Sequence, residues 1–372
     1  MKIGIDARFY GTGAKGLGRY TEKLVTHLEK IDDHNEYVIF LRKENWDEYT
    51  PRNPRFEKRL ANFRWYTIIE QIWLPWVLWR ARLDLMHFPH FNVPLLYRRP
   101  FVVTIHDLIL TKYPTQRATT LGPLLYRIKH WAYHIIIRRA VRQARRIIAV
   151  SKYTKQEIVH HFGVDPQHIS VTYEAVDTPM QEAASDLNVL EQYSIKQPYI
   201  LYVGNVYPHK NSEGLIEAFI QLRQTHPNVQ LVLVGRQDYF VKRLQKIVEA
   251  SGIAHAVRFT GYVPDGELPS LYRHAAAYVF PSFCEGFGLP GLEACAFGVP
   301  VAASDNSCLP EILGDAALYF DPHNHEDIAR QVSVLLDNAH VAADMRERGY
   351  KRIRQFSWDI MAERTRDLYE AA

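Results

Sequence analysis

Cysteine is scarce in this chain: three residues in 372, Cys284, Cys295 and Cys308, all within 25 positions. An odd number without metal-ligand spacing excludes a disulfide framework and points to reduced thiols in a reducing compartment. Long apolar runs are also lacking, since none reaches the roughly 18 residues that a membrane span needs. The start, MKIGIDARFYG, reads as a strand and a turn, without the basic-apolar-small order of a secretory signal. These absences lead to the expectation of a soluble, cytoplasmic protein, or one resting on the cytoplasmic face of a membrane.

What is present is globular. The hydrophobic fraction is 47% and the aromatic fraction 12%, too rich for disorder. A length of 372 residues suggests two domains rather than one core. The net charge of +4 hides an asymmetry, with 28 Lys and Arg against 17 Asp and Glu in residues 1–180, and 17 against 24 thereafter. A basic first half and an acidic second half imply two bodies with different partners.

Short apolar runs alternate with longer helical patterns in both halves. The first half has strands at 2–6, 37–41, 85–88, 101–105, 146–150 and 169–173; the second has them at 199–203, 231–234, 257–260, 277–280 and 301–304. Strands about 30 residues apart with helices between them predict parallel, doubly wound sheets. The pattern pauses at 178–197, which reads as a linker. The fold class expected is therefore α/β, with two Rossmann-like domains, 1–180 and 195–356, facing a cleft. Ligands of such sheets bind at the carboxyl ends of strands, so the residues just after each strand matter most.

Several motifs fall there. G-x-G-x-x-G occurs twice, at Gly11–Gly16 and Gly286–Gly291. Neither has the context of a dinucleotide site, since Ala7–Tyr10 separate the first from its strand and the second lies far down its domain. The loop at 11–18 is either structural or brings backbone N–H groups to a phosphate or sugar ahead of a helix at Arg19. His106 follows the strand FVVTI, at a site position or as a satisfied structural histidine; Asp107 could orient it or cap the next turn. Lys210, in YVGNVYPHKN, could neutralise a ligand phosphate or stand solvated.

The stretch CEGFGLPGLEA (284–294) holds Glu285 and Glu293 eight positions apart. Pro290 suits the first turn of a helix, which leaves the backbone N–H groups of Phe287, Gly288 and Leu289 to favour anionic oxygen. Glu293 lies about one turn inside that helix. The two carboxylates would bracket a ligand from a loop and a helix face, and a carboxylate accepts well from paired hydroxyls.

With these motifs together, the chain resembles the retaining family-4 glycosyltransferases of the GT-B fold. The resemblance rests on EGFGLP with Glu285 and Glu293, PEILGDAALYFDP (310–322), Gly16-Leu-Gly18-Arg19-Tyr20, IHDL, VSKYTKQEI (150–158), VGNVYPHKN, 261–282 and the terminal FSWD helix. It implies that Glu285 holds hydroxyls of the donor sugar, beside Gly286 and the Phe287–Leu289 backbone, and that Glu293 holds the ribose. It implies that Lys210 neutralises the diphosphate leaving group, that His106 contacts the transferred sugar, and that Gly16, with Gly18 near it, lies against the phosphates. Asn205 stands where the family often has arginine, which leaves Lys210 more of the phosphate task, helped by Arg236 or His209. Arg19, Tyr20 and Asp107 are the expected acceptor contacts. The first domain would bind the acceptor, the second the nucleotide sugar, and a last helix at about 357–372 would cross back onto the first.

No Asp-x-Asp occurs anywhere in the chain, which argues against a divalent-metal diphosphate site; no metal or other cofactor is expected. The donor pattern looks most like mannosyltransferases using GDP-mannose, with UDP-sugar transfer as the alternative. A non-catalytic sugar-binding scaffold is the alternative from a different class. The acceptor, a glycan or lipid-linked glycan, should meet the basic first domain. There PLLYRIKHWAYHIIIRRAVRQARR (123–146) and IIEQIWLPWVLWRAR (68–82) could lie on an anionic membrane surface. Aromatics at helical spacing could equally be core. No nucleic-acid recognition motif is present, and nucleic acid is not an expected partner.

Overall fold

The computed structural model describes residues 1–11, 15–114, 122–177 and 187–372. Gly13 and residues 178–186 of the linker expected at 178–197 lie outside the described residues. The chain forms two compact units, one of 1–174 with 357–372 and the other of 175–356.

The first unit runs β1 (Lys2–Asp6), α1 (Lys15–Ile31), β2 (Glu36–Leu41), β3 (Phe56–Leu60), α2 (Ile68–Arg80), β4 (Leu85–Phe88) and β5 (Phe101–Ile105). It continues with α3 (Ile109–Lys112), α4 (Pro123–Gln143), β6 (Arg146–Ala149), α5 (Lys152–Phe162) and β7 (Ile169–Val171). Its seven strands are all parallel, in the order β3-β2-β1-β4-β5-β6-β7. The second unit runs α6 (Leu187–Gln192), β8 (Tyr199–Val203), α7 (Ser212–Thr225), β9 (Gln230–Val234), α8 (Tyr239–Ala250), β10 (Val257–Gly261) and α9 (Leu268–Arg273). After these come β11 (Ala277–Phe280), α10 (Leu289–Ala296), β12 (Val301–Ser304), α11 (Leu309–Leu313), β13 (Ala317–Phe320), α12 (His325–Asp337) and α13 (Ala339–Ile353). Its six strands are parallel too, ordered β10-β9-β8-β11-β12-β13.

The central strands are largely apolar because helices cover both faces of a parallel sheet. All five residues of β5 and of β9 are buried. Two strands absent from the sequence reading, β3 and β13, are edge strands, and β3 (FEKRL) is mostly polar because an edge needs little burial. The helix expected from Arg19 begins at Lys15, so Gly16 and Gly18 stand in its first turn rather than in a loop.

The last helix, α14 (Trp358–Glu370), belongs to the first unit and packs on α1. Ser357 caps it by accepting from the N–H groups of Asp359 and Ile360. Asp359 pairs with His27 at 2.6 Å, and the Tyr369 hydroxyl meets His87 Nδ1 at 2.6 Å.

Candidate active site

In each sheet the strand order reverses once, between β1 and β4 and between β8 and β11. Ligands of open α/β sheets bind at such points. In the second unit Lys210 follows β8 and Glu285 follows β11, so the topology alone brings them together. Lys210 Nζ donates to both oxygens of Glu285, at 2.6 and 2.8 Å. The Ser282 hydroxyl donates to Glu285 Oε1 at 2.7 Å, and the Glu285 N–H donates to Ser307 Oγ at 3.1 Å. Asn211, in the left-handed region at φ +55°, anchors the turn carrying Lys210 by donating to the carbonyls of Pro281 and Pro322.

Glu293 lies in α10 and accepts from the buried Tyr272 hydroxyl at 3.1 Å, with Tyr272 stacked on Phe297. Gly288 caps α10 at φ +94°, and a Cβ there would stand 2.8 Å from Leu309 and 3.3 Å from Phe280. Only glycine makes this turn without strain. The side chains of Phe287 and Leu289 are buried, so these residues can offer a ligand mainly their backbone. The Asn205 backbone carbonyl accepts from Tyr202, while its side-chain Oδ1 is buried without a partner. The Arg236 guanidinium stacks 5.2 Å from the exposed Tyr262 ring. His209 does not supply a second cation, because burial and the Lys210 charge push its pKa down to about 4. The three cysteines are free and buried. Burial raises the Cys295 thiol to about 12, which fits a packing role.

In the first unit His106 follows β5 and is held at both ring nitrogens. Nδ1 lies 3.0 Å from Glu174 Oε1, and Nε2 lies 2.9 Å from the Pro89 carbonyl. A carbonyl and a carboxylate only accept, so the ring carries both protons as an imidazolium. Burial alone lowers its pKa, but the Glu174 hydrogen bond and charge, with the Pro89 carbonyl and Asp107, outweigh that and raise it. The Tyr20 ring meets His106 edge-on at 4.7 Å, and its hydroxyl lies 3.1 Å from Thr104 Oγ1, itself 2.8 Å from His87 Nε2. Tyr20 is fully buried and supports His106 from beneath; it has no surface for the acceptor contact expected of it. Asp107 caps the next turn by accepting from the Ile109 N–H at 2.9 Å. Arg19 is half-buried on α1, and Gly16 on its first turn is exposed.

Glu174 is the residue that sequence reasoning missed, although the strand-end rule that selects His106 applies equally to ISVTYE. Ser282, Ser307 and the Pro89 carbonyl carry no sequence signal. Among the described residues no group of three or more His, Cys, Asp or Glu side chains could hold a metal ion.

The glycosyltransferase family 4 model matches residues 14–179, and the glycosyl transferases group 1 model matches residues 190–352. Between them they span most of the chain, one on each unit. The chain belongs to glycosyltransferase family 4. This glycosyltransferase is 29% identical to O-antigen chain mannosyltransferase B of Escherichia coli, over 95% of this chain and 96% of that one. It is 28% identical to the O-antigen chain mannosyltransferase RfbU of Salmonella typhimurium, over 85% and 86% of the two chains. Among solved structures, the sucrose-phosphate synthase of Thermosynechococcus elongatus superposes with a TM-score of 0.77 at 19% identity, over 100% and 98% of the chains. The fold is GT-B, with two Rossmann-like parallel-sheet domains.

Proposed function

We propose that this glycosyltransferase moves mannose from GDP-mannose to a glycan or lipid-linked acceptor, with retention at the anomeric carbon and without a metal. The observation that carries the reading is the Lys210–Glu285 pair at the β8/β11 switch point, with Glu293 one turn into the helix that follows. A carboxylate that can accept from sugar hydroxyls stands beside a lysine that can take a leaving phosphate. Mannose as the sugar is supported by the two O-antigen mannosyltransferases, which align over 95% and 85% of this chain.

In this reading Glu285 holds hydroxyls of the hexose and Glu293 the ribose. Lys210 and the α10 N-terminus share the charge of the departing diphosphate. The acceptor hydroxyl attacks the anomeric carbon from the face that the diphosphate leaves, and the departing phosphate oxygen takes its proton. The new glycosidic bond and the broken sugar–phosphate bond then lie on one face, and no enzyme nucleophile is required. In this reading His106 stands beside the transferred sugar as a fixed positive charge, its two N–H groups retained by Glu174 and the Pro89 carbonyl.

The first unit is the proposed acceptor side and rests on an anionic, cytoplasmic membrane face. The exposed row Ile69, Ile72, Trp73, Trp76 and Trp79 along α2 supports this, as do Arg80 and Arg99 over the Trp76 and Trp79 rings. No helix among the described residues is long and apolar enough to cross a membrane.

The deciding experiment is a screen of GDP-, UDP- and ADP-sugars for thermal stabilisation and nucleotide release. GDP-mannose should give both. Turnover with a UDP-sugar alone would replace the donor, and no turnover with any of them would favour a non-catalytic sugar-binding protein.

A further inference from the structure

Beside the N-terminal turn of α2 the first unit has a cavity of about 540 Å³, within the size range of small-molecule sites. Its walls are mainly hydrocarbon and aromatic, with Ile68, Phe91, Leu110, Tyr133 and Ile136, while Thr67 and His130 add polar groups and Lys129 stands among the lining residues as an exposed cation. The Tyr133 hydroxyl is already engaged by Thr111 at 2.8 Å. Gln71 also lines the cavity. Its Oε1 accepts from the Leu95 N–H at 2.8 Å, which fixes the amide and leaves Nε2 as the donor end, buried and without a partner. An unpaired buried donor costs stability unless a ligand satisfies it. A sugar ring, with hydroxyls on every side, would strand those that face Ile68, Phe91, Leu110 and Ile136. A hydrocarbon chain would not, and the anionic oxygen at its head would meet Gln71 Nε2 and Lys129. Ile68 belongs both to this cavity and to the exposed apolar face of α2, so a chain could enter from a lipid surface without crossing water.

We infer that this cavity binds the first segment of a single-chain lipid phosphate, the carrier end of the acceptor. The inference rests on the lipid-linked reading of the acceptor proposed above and adds to it a defined seat for the lipid.

The test uses the full chain and farnesyl phosphate as probe, followed by tryptophan fluorescence, with farnesol and inorganic phosphate as controls. Farnesyl phosphate should saturate at one site. Farnesol should bind about tenfold more weakly, and inorganic phosphate should not compete. Ile136→Trp, which fills the cavity, and Leu110→Arg, at a half-exposed wall position, should each weaken farnesyl phosphate about tenfold or more. Their melting temperatures and their affinity for GDP-mannose should stay as in the parent, which shows that the fold is kept. Absence of saturable binding, competition by inorganic phosphate alone, or unchanged binding in both variants would overturn the inference. If the lipid probe fails while GDP-mannose is still turned over with a water-soluble glycan, the cavity assignment falls and the transferase reading stands. Loss of donor turnover in the parent protein would instead remove the transferase reading.

Discussion

The two units share one architecture and differ in how they hold charge. At the strand ends of the second unit, Lys210 meets Glu285 through a flexible stem, and both carboxylate oxygens face the same ammonium. In the first, the His106 ring is fixed at both nitrogens and floored by Tyr20. A lysine can exchange its carboxylate for a ligand oxygen by turning a few torsions. An imidazolium clamped between a carboxylate and a backbone carbonyl moves only by giving up a bond to the scaffold. A movable cation suits a leaving group that arrives and departs, and a fixed one suits a sugar that must be held in one pose. The surfaces differ as well. Large exposed apolar residues of the second unit, such as Tyr239, Tyr262 and Tyr350, are spread along its chain, whereas the first unit places six of its own, Ile68, Ile69, Ile72, Trp73, Trp76 and Trp79, on the single helix α2.

The largest effect should come from breaking the movable pair. Glu285→Ala should lower kcat by about 10² to 10³ or more, the scale for losing one preorganised polar contact to the reacting group. GDP should still bind, because its proposed contacts are on α10 and Lys210. Steady-state kinetics beside GDP titration separate the two effects, and near-parental turnover would remove Glu285 from the site. Lys210→Ala should cost less in sugar binding but strongly slow departure of the nucleotide. Lys210→Arg should recover part of the rate because it keeps the charge while changing its reach. Equal losses in the Ala and Arg variants would mean that shape, not charge, is what Lys210 supplies.

The fixed pair should show itself in pH dependence. The His106 pKa is raised above its ordinary value of 6.5. The stability it contributes is therefore fully present below that value and lost as pH rises through the raised one. Transfer that needs the imidazolium should fall over the same range. Glu174→Gln removes the carboxylate that opposes the cost of burial, so the fall should move to lower pH, with KM for the donor little changed at acid pH. An unshifted profile with a uniformly lower rate would make Glu174 a packing residue only.

How far the sequence could be read follows from burial and locality. Strands with both faces covered had to be largely apolar, so β1, β2, β4 to β6, β8, β9, β11 and β12 stand out in the chain, as do the edge strands β7 and β10. β3 did not, because an edge strand needs little burial and it carries Glu57, Lys58 and Arg59; the apolar β13 (ALYF) was also missed. Lys210 and Glu285 could be found separately as residues after strands. Their contact could not, because it depends on β8 and β11 being neighbours despite two intervening strands. The partners of His106 divide the same way. Glu174 carries a charge at a strand end and could have been selected, whereas the Pro89 carbonyl is backbone and leaves no trace in composition.

The smallest effect on stability, and the sharpest contrast between the units, concerns α2. Its inner face, Glu70, Leu74, Pro75 and Leu78, is buried, with Glu70 bonded to Arg8 and Asn92 at 2.7 Å. Its outer face carries Trp73, Trp76 and Trp79, which are 53%, 45% and 59% exposed. A helix apolar on both faces has more hydrophobic surface than its own unit covers. Replacing the three tryptophans by serine should change unfolding free energy by only about 0.5 kcal/mol per site, as for other exposed positions. The same variant should lose its affinity for vesicles containing phosphatidylglycerol, and parental binding should weaken as salt rises because the basic residues of α4 share the contact. If the parent ignores anionic vesicles at low salt, the outer face of α2 serves something other than a membrane. If instead the variant loses stability well beyond that estimate while vesicle binding persists, the tryptophans are part of the unit's own packing.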